Sequence, residues 1–381
     1  MKMKCAFLAV PAAFILLATS SASIAVSTRD IDEVRKKAVL DARDFKVIDD
    51  FLAQAVQELV RTRDFTSIAT IRTTILSRKG SQGQYAQQFS DSAYKHVQAG
   101  FQQAEETLRP EERKTNVIIN LLILIDGMEE LRLGELAVGM LKHENMVVRY
   151  WAVHCFTSSA MLQQLNSGTT TNPGTAAAVA GQLKDIVETS NPEVIALIAK
   201  FGAGVNIAQG EQLLLQVADS RIKRYADWTV EYELYDVTIL KLLESKIPLP
   251  SQTPGVLVTT TSTGKPEIAR RFAQLYSFAA QRYIKGKERN LLNETQKGHL
   301  ATVLVEAEEK CISRLMGAPQ SNIRRAIERD STTALLDEHN KLLGSATGPG
   351  ELPSKLGFDY GTDQSGAKRT APTLLPDPPQ K

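Results

Sequence analysis

Apolar side chains return every third or fourth residue along most of this chain, and that period admits little besides packed helices. Over residues 28–62 the stripe runs Ile31, Val34, Ala38, Asp41, Phe45, Ile48, Leu52, Ala55 and Leu59, with Asp41 its one polar member. The spacing predicts one long helix, capped by Ser27 or Thr28 and carrying Asp30 and Asp32 in its first turn. A second helix, 65–78, sets Phe65, Ile68, Ile71 and Ile75 on one face before Gly80 to Gly83 break the pattern. Residues 88–108 predict a third, with Pro110 in the turn or first position of the next.

Residues 115–245 change character. Helical runs of about 12–18 residues alternate with short polar turns, the pattern of stacked helical pairs. The expected turns are Asp126-Gly127, Lys142–Asn145 and Ser190-Asn191-Pro192, with a longer break at 166–175. The greasiest run, 117–125 (VIINLLILI), is too short to span a bilayer and reads as buried core. Val147, Val148, Trp151, Ala152, Cys155 and Phe156 form one broad apolar stripe, with Trp151 as an expected core anchor. Trp228, Tyr232 and Tyr235, among Val230, Leu234, Val237 and Leu240, make the densest aromatic patch, which serves either as packing or as a ligand wall.

Residues 141–152 (LKHENMVVRYWA) resemble the inter-helix turn and second helix of a HEAT repeat, through Val148, Arg149 and Ala152. Shifted by 46 residues, 187–199 (VETSNPEVIALIA) keeps Pro192 and Val194 but has Ile195 in place of the arginine. The offset fits the roughly 40–47-residue period of such repeats. The resemblance to HEAT and armadillo-like solenoids covers about residues 115–245 and implies a passive surface that binds other macromolecules.

Residues 246–266 hold four prolines and a threonine-rich run, which marks a linker or long loop with room for a short strand at 256–260. Helices are expected over 267–284, 293–316 and 320–343, opened by Pro266 and closed by Gly317 and Gly344. Residues 344–381 contain six Gly and six Pro, a composition that predicts a disordered tail. Its terminal 374–379 (LLPDPP) reads as solvated tail or as a short docking peptide.

The N-terminus reads as an export signal. Lys2 and Lys4 precede the apolar run 5–18, and Ser23-Ile24-Ala25 suits cleavage near Val26. Lys2 and Lys4 are the only charges lost with residues 1–25, leaving 43 basic residues against 43 acidic. A neutral mature chain has no global pull toward nucleic acid or anionic lipid. Export would permit a disulfide between Cys155 and Cys311, but spacing argues neither way.

A search for chemistry finds none of the usual motifs. The histidines, His96, His143, His154, His299 and His339, lack the spacing that sets two metal donors on one helix face. Gly264-Lys265 fails as a phosphate loop because Pro266 stands where a hydroxyl is needed. Asn293-Glu294-Thr295 is a glycosylation sequon. The stretch 265–289 carries seven basic residues, including Arg270, Arg271, Arg282, Lys285 and Arg289. It reads as a solvated helix face or a contact for an anionic polymer.

The resulting expectation is an all-α protein: signal peptide 1–25, N-terminal helical region 26–114, HEAT-like repeats 115–245, linker 246–266, helical cluster 267–343 and tail 344–381. Its expected function is that of an exported, non-enzymatic scaffold with a protein partner, without cofactor, metal or membrane span. Trp228, Tyr232, Tyr235, Arg270 and Arg271 are the candidate binding residues, and a small-molecule or polymer binder of the envelope is the alternative.

Overall fold

A computed structural model of the chain describes residues 28–81, 83–167, 174–249, 266–362 and 366–379. The expected signal peptide, most of the 246–266 segment and its expected strand lie outside these residues. The chain divides into two compact units, residues 1–92 and 93–381. The expected all-α class holds, with helices α1 to α18 and one two-residue strand pair among the described residues.

The first unit contains α1 (Arg29–Val34), α2 (Ala42–Arg61), α3 (Phe65–Leu76) and the start of α4 (Gly83–Thr107). The single helix expected over 28–62 is two. The chain leaves the helix after Val34 and re-enters at Ala42, and the polar exception in the stripe is the reason. Asp41 caps α2 by accepting from the backbone of Arg43 and Asp44 at 2.8 and 3.0 Å, while Asp44 returns a bond to the Asp41 N–H at 3.1 Å. A residue that uses its carboxylate to start a helix cannot sit in the middle of one. Ile48, Leu52, Ala55, Leu59, Ile68, Ile71 and Ile75 fill the core as their spacing requires, but Phe65 is exposed.

The second unit begins within α4. It continues with α5 (Glu111–Met128), α6 (Leu131–Val138), α7 (Met146–His154), α8 (Ser159–Asn166), α9 (Gly174–Ile186), α10 (Pro192–Gly204), α11 (Ala208–Ala226) and α12 (Tyr235–Ser245). These stack in two layers. In one, α5 packs on α7, α7 on α10 and α10 on α12; in the other, α6 packs on α8, and α9 on α11. Pairs such as α5 with α6 and α10 with α11 join the layers. Each helix buries its stripe against the next, which is how a stack of incomplete units acquires a continuous core. The caps repeat as well. Asn145 opens α7 and Asn191 opens α10, 46 residues apart, each accepting from backbone N–H groups of the first turn. Arg149 then bonds the carbonyls of His143 and Thr189, tying one inter-helix turn to the next.

Two expectations here need correction. Asp126-Gly127 lies inside α5, which ends only when Glu129 turns left-handed. Trp151 is half-buried and no core anchor, and Val147 is 51% exposed. Only Val148, Ala152, Cys155 and Phe156 of that stripe enter the core. Cys155 and Cys311 are separate buried thiols. Loss of hydration pushes Cys155 well up and Cys311 to about 12, so neither is poised as a nucleophile.

The stack continues through α13 (Pro266–Glu288), which packs on α11 and α12, and α14 (Glu294–Ala307). A π-turn at Glu308–Ile312 leads into α15 (Ser313–Met316), then α16 (Asn322–Glu328) and α17 (Thr332–Leu343). The π-turn aims the Glu308 carboxylate at the backbone N–H groups of Ile323 and Arg324, 2.8 and 2.9 Å away, which caps α16. Asn293 of the sequon caps α14.

The tail expectation is corrected over 344–362 and 366–379. Strands β1 (Gly344–Ser345) and β2 (Gly348–Pro349) pair antiparallel, α18 (Glu351–Leu356) follows, and an extended segment then runs along α13. Composition misleads because four well-placed side chains, Leu352, Phe358, Tyr360 and Leu375, are buried, and α13 satisfies the backbone around the last of them.

Candidate functional site

Helix α13 carries a polar stripe, Glu267, Arg270, Arg271, Gln274, Gln281 and Lys285, spaced to share one face. The extended C-terminal segment lies on that face and runs in the same direction. Gln274 reads the backbone of Thr373 twice, accepting its N–H at 2.8 Å and donating to its carbonyl at 3.1 Å. Gln281 accepts the Leu375 N–H at 2.8 Å, and Lys285 donates to the Leu375 carbonyl at 2.6 Å. Asp377 sits between Lys285 and Arg289, at 3.0 and 3.1 Å, and these cations hold its carboxyl below the usual range.

Beneath this ladder the polar contacts continue inward. Gln281 Nε2 donates to Ser277 Oγ at 2.9 Å, and Ser277 lies 2.8 Å from His339 Nε2 on α17. All three groups are satisfied when Ser277 donates to Nε2 and the His339 Nδ1–H donates to Asn340, 3.1 Å away. Burial holds the His339 pKa below its ordinary value, consistent with a neutral ring. This chain of bonds orients the Gln281 amide so that Oε1 takes the Leu375 N–H, while Nε2 also reaches the Thr373 carbonyl at 3.4 Å.

Trp228 approaches from the loop between α11 and α12. Its indole N–H donates to the Pro376 carbonyl at 2.9 Å, and the Arg282 guanidinium stands 5.3 Å from its ring centroid. Trp228 and Tyr232 both adopt left-handed backbone, uncommon for aromatic residues. A buried ion pair holds this loop. Arg221, at the end of α11, grips Asp236 at 2.7 and 2.8 Å and reaches the Glu231 carbonyl, while the Tyr225 hydroxyl donates to Asp236 at 2.8 Å. Burial works against the Arg221 charge, but Asp236 outweighs it and the net shift is upward. Arg282 is buried 3.9 Å from Glu233, leaving its Nε and Nη1 and Glu233 Oε1 without hydrogen-bond partners, and burial draws its pKa down.

The structure does not bring the five sequence candidates into one site. Trp228 belongs to the tail groove. Tyr232 is 56% exposed, and half-buried Tyr235 donates to Glu193 on α10. Tyr235 interacts both with Tyr232 and with Tyr150 of α7, and on α7 the rings of Tyr150, Trp151 and His154 lie with centroids 5.2 to 5.7 Å apart while Met146 and Val147 are exposed. Arg270 and Arg271 line a third place, a pocket of about 300 Å³ shared with Asp219, Phe278 and Tyr360. Both are already paired: Arg270 with Glu267 and Asp359, Arg271 with Asp219 and Glu267. Sequence reasoning missed Gln274, Gln281 and Tyr150, and it placed Lys285 in a basic stretch and Trp151 in the core without their partners. Their spacing was visible, but their facing partners were not.

Another pocket, about 370 Å³, lies at the α10–α11 turn with Asn206, Glu211 and Lys246 in its wall. Among the described residues no group of three or more His, Cys, Asp or Glu is arranged to hold a metal, and no helix is long and apolar enough to cross a membrane.

No protein-family profile and no curated protein matches the chain. A solved structure of the karyopherin Kap121p, bound to the extreme C-terminus of the protein phosphatase Cdc14p, is similar at 11% identity and a TM-score of 0.35. The match covers 82% of this chain, which spans about a third (33%) of that one. A likeness this loose carries no argument, and the two-layer stack rests on the helix packing itself.

Proposed function

We propose that this protein is an exported, non-enzymatic scaffold of HEAT-like helical pairs that binds another protein. The observation that carries the reading is the partly exposed aromatic and apolar surface of α7, Met146, Val147, Tyr150 and Trp151, with Tyr235 at the start of α12 close enough to interact with both Tyr150 and exposed Tyr232. Aromatic side chains left partly wet on a rigid stack are the residues from which protein interfaces are built. The two asparagine caps 46 residues apart support the HEAT-like reading. The leader-like sequence supports export.

A photo-crosslinking residue at Tyr150 or Tyr232, introduced in the native host, tests this. One protein adduct is expected, lost when Trp151→Glu is added and missing when the crosslinker stands at exposed Leu336 on α17. Identical adducts from both positions would sink the reading. The small-molecule alternative would use the Arg270–Arg271 pocket, where an anion must first displace Glu267, Asp219 and Asp359 from the guanidinium groups.

A further inference from the structure

Between Thr373 and Asp377 the tail is held as a bound peptide is held. Side-chain amides read its backbone at two residues, one side chain is buried, and a pair of cations clamps the acid. Leu375 is 1% exposed while its neighbour Leu374 is 76% exposed, so this stretch adds a single anchor to the core. Pro376 fixes the backbone between anchor and acid, which lowers the entropy lost on binding. The receiving side is preorganised by the inner chain from Gln281 through Ser277 to His339, whose members belong to α13 and α17 rather than to the tail.

We propose that the α13 face from Gln274 to Arg289, together with Trp228, is a recognition site for an extended segment of a partner protein that carries Leu-Pro-Asp, and that the chain's own Thr373–Asp377 occupies it in cis as a competing ligand. The amide ladder accepts any extended backbone. The Leu375 pocket and the Lys285–Arg289 clamp supply the selectivity, for an aliphatic residue followed two positions later by a carboxylate. Tethering gives the tail an effective concentration near the millimolar range, so a free peptide competes poorly until the tail is weakened. The proposal shares the protein-binding reading but uses a different surface, and either can fail without the other.

The test uses the full chain with Leu375→Ser and Asp377→Lys in its own tail, titrated with a labelled synthetic peptide of residues 372–379 (PTLLPDPP). Saturable binding is expected, about ten-fold or more tighter than to the wild-type chain. It should be lost when Gln281→Ala is added to the protein or when the peptide's second leucine becomes serine. No saturable binding by a variant that keeps native circular dichroism would overturn the proposal. Concentration-dependent dimers of the wild-type chain, dissolved by the same peptide, would overturn it in favour of tail exchange between two copies.

Should the variant misfold, hydrogen exchange on the wild-type chain decides. The Leu375 amide should exchange through local release, well ahead of the Tyr276 amide within α13. Exchange of both only on global unfolding would make the tail a structural element and end the proposal. The crosslinks from Tyr150 should survive every tail variant, which separates the two readings.

Discussion

Gln281 Oε1 accepts the backbone N–H of Leu375 at 2.8 Å, across 94 residues of sequence. The bond joins a helix of the stack to a segment whose composition argues for disorder, and the rest of the tail's order depends on contacts of this kind. Leu375→Ala should therefore release the segment. A fully buried Leu→Ala change in a core costs about 2–5 kcal/mol. Here the loss of global stability should stay below about 2 kcal/mol, because the segment can detach before the stack unfolds. The Trp228 emission spectrum in the absence of denaturant should shift, since its indole loses the Pro376 carbonyl.

His339 makes stability depend on pH. Its folded pKa lies below that of the free side chain because the ring is buried. The unfolded chain therefore binds the extra proton first, and the stability from a neutral His339 is lost as pH falls through about 6.5. Urea midpoints for the wild type should drop between pH 7.5 and pH 5. His339→Gln, which keeps a polar partner for Ser277, should flatten that part of the profile; an unchanged slope would show that other groups carry it.

The Arg221–Asp236 pair is fully buried, so removing Arg221 leaves Asp236 without its counter-ion, with the Tyr225 hydroxyl still donating to it. Arg221→Met should cost about 3–5 kcal/mol, whereas Arg221→Met with Asp236→Leu should recover much of it. Chemical denaturation of the two variants checks this, and equal losses would mean that the carboxylate finds another partner. Since the pair holds the loop that presents Trp228, the single variant should also weaken the tail contact.

Gly202 of α10 faces Gly210 of α11 so closely that an added Cβ would stand 2.7 Å from the Gly210 carbonyl oxygen. Backbone cannot move aside as a side chain can. Gly202→Ala should destabilise by about 1–3 kcal/mol despite its better helix propensity. A raised melting temperature would refute the close crossing of these helices.

The helices were legible because their signal is local. Ile68, Ile71 and Ile75 predicted a buried face and form one, and the turn expected at Ser190-Asn191-Pro192 falls where α9 gives way to α10. Errors came where one residue type serves two purposes. Asp41 sat in an apolar stripe as a cap, and Trp151 sat in one while facing partly outward. Of the candidate site, Trp228 was found for its aromaticity, not for the Pro376 carbonyl it meets. The basic stretch of α13 was seen but read as solvated, although Arg282 within it is 4% exposed and Lys285 is committed to the tail.

Periodicity within single helices thus determined the all-α class, most helix positions and which edge of each is apolar, because these depend on neighbours three or four residues away. The tertiary structure alone decided that Gln281 meets Leu375, that Trp228 meets Pro376 and that Tyr150 comes near Tyr235. Such pairings leave no periodic trace in the sequence. They exist only once packing has brought distant backbone and side-chain polar groups within bonding distance, where each must find a partner or bear the cost of losing water.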